Sequence, residues 1–143
     1  MLKILIAVDG SEASLRATRN VIESIAWYKE APRIEVLAVH MPVPRLPNMG
    51  LVISHEMLDS YYREECEAML ARSKSALDEA GVSYTAHWHV GVVAETIVEK
   101  AQDLDTNFIY MGNRGMTGIS SILLGSTALK VLHLTRIPVV LIH

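Results

Sequence analysis

The chain reads as an α/β protein: a doubly wound, open parallel sheet with helices on both faces, Rossmann-like. Two observations carry this. Short strand-like stretches rich in apolar residues recur along the whole chain, and the first of them, Ile4 to Val8, has the continuous apolar character of a strand buried on both faces of a parallel sheet. Between them lie segments whose apolar residues repeat at helical spacing. Strands that alternate with helices build parallel layers.

Lys3-Ile4-Leu5-Ile6-Ala7-Val8 is the first strand, stopped by Asp9-Gly10. Ala13, Ala17, Val21 and Ile25 then share one helix face, with Pro32 beyond it. Ile34–Val39 is the second strand. From Met41 to Ile53 three prolines, Pro42, Pro44 and Pro47, exclude helix and central strand. This segment reads as a disordered loop, a lid or a partner surface, and its apolar content favours a lid or contact role. A long helix follows from about Ser54 to Ala80. Its inward stripe is Leu58, Tyr62, Cys66, Met69, Leu70, Ser73 and Leu77, and Gly81 suits its C-terminal cap. Val82–Val90 is the third strand, and a short helix carries Ala94, Ile97, Val98 and Ala101. Phe108–Met111 is the fourth strand. A glycine-rich loop spans Gly112 to Gly125, a helix begins near Ser126, and Pro138–Ile142 is the fifth strand.

The 143 residues fit one domain, and no linker, repeat or low-complexity tract divides them. Thirteen basic and sixteen acidic side chains give a formal net charge of −3. That balance lacks the basic footprint of a nucleic-acid binder, so no nucleic-acid partner is expected. Cys66 is the single cysteine, so no internal disulfide forms, and a reducing cytoplasm is the expected location. Only five apolar residues separate Lys3 from Asp9, too few for a signal-peptide core. No apolar run reaches the length of a membrane span, so no membrane partner is expected.

Ligands of open parallel sheets bind at the carboxyl ends of the strands. The loop there that stands out is Met111-Gly112-Asn113-Arg114-Gly115, continuing to Leu124-Gly125-Ser126-Thr127. Its chemistry is anion capture. Glycines let the main chain approach a bulky ligand closely, and the following helix offers free N–H groups and the positive end of its dipole. It is not a Walker A loop, because no Gly-Lys-Ser/Thr ends it. It is not a dinucleotide fingerprint, because it follows the fourth strand. A receiver domain would carry an aspartate at the end of the third strand, where His89-Val90-Gly91 stands. A flavodoxin-like carrier would place its phosphate loop after the first strand, where Asp9-Gly10-Ser11-Glu12 is too short and too acidic.

Gly112, two residues, Gly115, nine residues, then Gly125-Ser126 resembles the Gly-x2-Gly-x9-Gly-Ser/Thr signature of the ATP-binding branch of the universal stress protein family. Ile4-Leu5-Ile6-Ala7-Val8-Asp9-Gly10-Ser11 is similar to that family's opening segment. So are Val39-His40, His89-Val90-Gly91 and Ile137-Pro138-Val139-Val140, and the likeness covers the whole chain. The resemblance implies a five-stranded sheet in the order 3-2-1-4-5 and a homodimer through the last strand, Pro138 to Ile142. It implies ATP, or its smaller forms ADP and AMP, as ligand, with Mg2+ accompanying it. Ala7, Val8 and Asp9 would hold the nucleoside, and Asp9 would face ribose or adenine or orient the metal. Met41 would contact adenine. Met111 precedes the first glycine and belongs to the same set. Gly112, Arg114 and Gly115 would line the ribose and phosphates, and Gly125, Ser126 and Thr127 would hold the phosphates.

Plainer roles stand beside these. Asp9 with Glu12 fits a helix capping box, and Ser126 fits a helix N-cap. Arg114 suits a solvated surface charge as well as a phosphate. His87 and His89 share a strand face, yet a metal site needs further ligands, so no metal is expected there. No serine or cysteine sits in a triad pattern, and no glutamate or histidine in the glycine loop is poised to activate water. The expected function is therefore a nucleotide-binding stress or signalling protein with at most slow ATP turnover. A slow ATPase or autokinase, and a dimeric adaptor without nucleotide, are the alternatives.

Overall fold

The computed structural model describes residues 1–44, 54–114 and 124–143. Five strands, β1 (Lys3–Val8), β2 (Arg33–His40), β3 (Tyr84–Val90), β4 (Phe108–Gly112) and β5 (Val139–Ile142), form one sheet in the order β3-β2-β1-β4-β5. All four pairings are parallel. Among the described residues four α-helices connect them: α1 (Glu12–Ser24), α2 (His55–Glu79), α3 (Val93–Asp103) and α4 (Ser126–Leu134). The expected order is thus the observed one. The sheet reverses between β1 and β4, which places a crevice at their carboxyl ends.

The alternation of side chains splits each inner strand between two cores. Ile4, Ile6 and Val8 of β1 join Val36 and Ala38 of β2 and Tyr110 of β4 beneath α1 and α2. Leu5, Ala7, Leu37, Val39, Ile109 and Met111 pack with Ala94, Ile97, Val98 and Ala101 of α3 and with Ala128 and Val131 of α4. Burial on both faces is why β1 and β2 are apolar without interruption, and burying such side chains stabilises by about 1.5–3 kcal/mol each. Tyr62, Cys66, Leu70, Ser73 and Leu77 are the buried positions of α2; Leu58 and Met69 of the expected stripe are only half-buried.

Two local readings are corrected. The N-cap of α1 is Ser11, whose hydroxyl accepts from the Ser14 N–H at 3.2 Å. Asp9 stands two residues earlier and instead accepts the Ser11 N–H at 2.9 Å, bracing the turn that leaves β1. The N-cap of α4 is Gly125, and Ser126 is already the first helical residue.

One buried charge was not anticipated. Glu35 of β2 is almost wholly enclosed, and its two oxygens meet Arg33 Nε at 2.7 Å and His87 Nε2 at 2.7 Å. A carboxylate inside a sheet needs such partners, and this pairing gives His87 a structural task.

Candidate functional site: a cavity at the strand tips

A cavity of about 420 Å³ opens at the carboxyl ends of β2, β1 and β4, within the range of small-molecule sites. One wall is the β1 tip, with Ala7, Val8 and Asp9. A second is the end of β2 with His40 and Met41, and a third is Met111 through Arg114. Gly125, Ser126 and Thr127 at the start of α4 close the far side. The structure thus brings Ala7, Val8, Asp9, Met41, Met111, Gly112, Arg114, Gly125, Ser126 and Thr127 around one space. Gly115 lies outside the described residues, as do residues 45–53 of the proline-rich segment.

The two ends of the cavity differ chemically. Toward β2 it is apolar: Leu37, Val39, Val93 and Ile97 line it, which suits a flat heteroaromatic ring. Its rim is braced. His40 Nδ1 shares a 2.6 Å hydrogen bond with the Met41 carbonyl, and the His40 ring packs against Tyr61 and Tyr62. The Tyr62 hydroxyl accepts the Val43 N–H at 2.8 Å. Met41 itself is 62 % exposed at this edge.

Toward α4 the cavity is lined by hydrogen-bond donors. The Gly125 N–H is used by the Asn113 carbonyl at 2.6 Å, and the helical pattern resumes with Leu129 N–H to Gly125 O. The N–H groups of Ser126, Thr127 and Ala128 have no partner within the helix, and the dipole places partial positive charge there. Arg114 is the single lysine or arginine among the lining residues described. Backbone N–H groups would therefore carry much of the compensation for a polyanion.

Gly112 has a reason of its own. A Cβ there would lie 2.6 Å from the Ala13 carbonyl carbon and 2.7 Å from the Ala13 Cβ. The first turn of α1 passes so closely over the end of β4 that no side chain fits. Gly10 takes φ +84° in the β1–α1 turn, a conformation that favours glycine.

Several lining residues escaped the sequence reading. Ser14 and Met69 approach from α1 and α2, Val93 and Ile97 from α3, and Asn113 from the loop itself. Ile97 reads as an ordinary core position because periodicity marks a buried face without saying that part of it borders a cavity, and Val93 falls outside the periodic set. His40 offered a signal: it is the polar residue that ends an apolar strand.

Elsewhere burial shifts the acidity of two core groups. The Cys66 thiol is pushed up by burial and by Glu65 and Glu67, which leaves it an unreactive core residue. Tyr110 is pushed up to about 12 by burial and by the neighbouring Tyr28 hydroxyl. Among the described residues no cluster of three or more His, Cys, Asp or Glu could hold a metal ion. No helix among them is long and apolar enough to cross a membrane.

Comparison with known proteins gives a consistent result. The family model described as "Universal stress protein family" matches residues 1–143. The universal stress protein MJ0531 of Methanocaldococcus jannaschii is 35% identical over 144 residues, covering 98% of this chain and 81% of that protein. Among solved structures, the MJ0577 protein of the same organism superposes with a TM-score of 0.77 at 26% identity, covering 99% of this chain and 94% of that one. A universal stress protein from Archaeoglobus fulgidus, solved in complex with dAMP, shares the fold at a TM-score of 0.66 and 24% identity, over 100% of this chain and 98% of that one. The match over its full length, together with the strand order, shows that the chain belongs to the universal stress protein family.

Proposed function

We propose that the cavity binds an adenine nucleotide, ATP in its fullest form, and that the chain acts as a nucleotide-binding stress or signalling protein, one Usp domain from 1 to 143. The observation that carries this is the polarity of the cavity. An apolar slot at the β2 end faces the first N–H groups of α4, which no carbonyl of the helix takes up, with the Asp9 carboxylate between them. A base, a sugar and a phosphate tail present the same sequence of properties. The Archaeoglobus fulgidus relative with dAMP bound supports the reading. A micromolar complex corresponds to about −8 kcal/mol, within reach of a buried base and several N–H···phosphate bonds.

Mg2+ would arrive with the phosphates. That ion keeps several waters and takes one or two protein carboxylates plus substrate oxygens. The donor set fits this and no more: Asp9, with one oxygen engaged by the Ser11 N–H, and the hydroxyls of Ser126 and Thr127. The lining residues described contain no glutamate, and their one histidine, His40, is engaged with the Met41 carbonyl. Turnover of ATP is therefore expected to be slow or absent. β5 stands at the edge of the sheet with Val139 to Ile142 half-buried, and we place the homodimer contact along Pro138 to Ile142, with the cytoplasm as its setting.

Native mass spectrometry of the purified protein tests the binding reading. ATP, ADP or AMP is expected to travel with the wild-type chain and to be lost in Gly125→Val, whose branched side chain enters the phosphate end. A wild-type chain that carries no nucleotide and takes up none from added Mg-ATP would overturn it.

A further inference from the structure

We propose that the thioether of Met41 is a reversible oxidation site, and that its sulfoxide loosens the hold of the cavity on the nucleotide. This rests on the nucleotide reading above and adds to it a modification site that regulates binding.

Three observations converge. The first is access. Met41 lines the cavity and is 62 % exposed. The other lining methionines are more enclosed: Met111 is buried and Met69 half-buried. Met1 and Met57 are open to solvent but stand away from the cavity wall. Among the described residues Met41 is thus the one methionine that an oxidant reaches from solvent and that a ligand meets.

The second is the competing sulfur. Cys66 is the single cysteine, fully buried in α2. Burial, then Glu65 and Glu67, push its thiol up, and the thiolate is the reactive form. An exposed thioether is therefore the sulfur open to oxidation.

The third is the surroundings of Met41. It stands at the end of the cavity lined by Leu37, Val39, Val93 and Ile97, whose side chains offer no hydrogen-bond donor. Its main chain is held on both sides. The Met41 carbonyl shares a 2.6 Å hydrogen bond with His40 Nδ1, and the Val43 N–H donates to the Tyr62 hydroxyl at 2.8 Å. The residue therefore stays at the rim when its side chain changes chemistry.

The step is oxygen-atom transfer from a hydroperoxide, of which hydrogen peroxide is the simplest. A sulfur lone pair attacks one peroxide oxygen. An S–O bond forms, the O–O bond breaks, and the second oxygen leaves with both protons as water. Sulfur is oxidised by two electrons and the peroxide is reduced by two. The apolar side chain becomes a polar sulfoxide, which methionine sulfoxide reductases convert back. In the empty cavity water solvates the new oxygen. A base closing over the rim strips that water away, and a polar group left unpaired costs binding.

The test is treatment of the whole chain with hydrogen peroxide. Peptide mass spectrometry reports which methionines gain oxygen, and calorimetric titration with Mg-ATP follows before and after. Wild type is expected to gain oxygen at Met41 and to bind about tenfold more weakly than its untreated form. Methionine sulfoxide reductase should restore the affinity. Met57→Leu should weaken on treatment as wild type does. Met41→Leu, compared with its own untreated form, should not weaken. A treated Met41→Leu that weakens as much as wild type overturns the proposal while leaving the nucleotide site standing. So does wild type converted at Met41 that binds as before, or a Met41 that stays a thioether while Met57 is converted. No binding of Mg-ATP by untreated wild type overturns both readings. Should Met41→Leu bind too weakly to titrate, a time course on wild type decides: affinity should fall in step with conversion of Met41, and a fall in step with another methionine contradicts the proposal.

Discussion

The two ends of the glycine loop carry the same residue for different reasons. At Gly112 the fold demands it, because the backbone of Ala13 in α1 occupies the place of a Cβ. At Gly125 the backbone conformation does not require glycine: φ −60° and ψ 150° are open to any residue, and the position is a helix N-cap with no side-chain cap. Serine or aspartate would cap α4 better. A glycine that gives up a cap at a helix start lining the cavity points to the space in front of it. A motif's spacing can thus mix residues kept by packing with residues kept by a ligand, and only the contacts separate them.

Replacing each glycine sharpens the contrast. Gly112→Ala forces α1 and β4 apart, and overpacking of this kind costs about 1–3 kcal/mol; urea unfolding should show a lower midpoint without nucleotide present. Gly125→Val should lose nucleotide binding altogether, yet cost about 1 kcal/mol or less in the same unfolding measurement. Equal stability losses at both sites would erase the distinction. Asp9→Ala removes the brace on the Ser11 N–H as well as a proposed sugar contact. It is expected to weaken ATP binding roughly tenfold and to lower stability by about 1 kcal/mol, read by calorimetry and urea unfolding.

A smaller effect lies away from both ends. Burial, then Lys100 and His87, hold His89 below the usual histidine range. The native state therefore binds this proton less readily than the unfolded chain. Its contribution is in place above the unfolded value of about 6.5 and is lost as pH falls through the lower folded value. His89→Gln should flatten that acid slope relative to wild type in urea unfolding between about pH 7 and 5. ATP affinity at neutral pH should not change, because His89 does not line the cavity.

Much of the fold was legible because β1, β2 and β4 are buried on both faces and say so in every residue. β3 is an edge strand with exposed Thr85 and Ala86, and its start is seen at Tyr84 rather than Val82. The apolar reading of β2 passed over Glu35, whose partner His87 lies 52 residues away; no local pattern encodes that pair. Of the cavity lining, Gly112, Gly125, Asp9 and Met41 stand out in the sequence, because the loop spacing and the strand tips mark them. The packing reason for Gly112 was not, since Ala13 stands far off in the chain. The role of Ser11 as cap went to the residue whose hydroxyl reaches Ser14, a choice between neighbours that the sequence leaves even.

The central claim is that the strand tips and the start of α4 enclose one nucleotide. Calorimetric titration of the wild-type chain with Mg-ATP tests it most directly. The account predicts saturable heat with one nucleotide per chain, micromolar affinity and a raised melting temperature. A flat titration together with an unmoved melting temperature would contradict it.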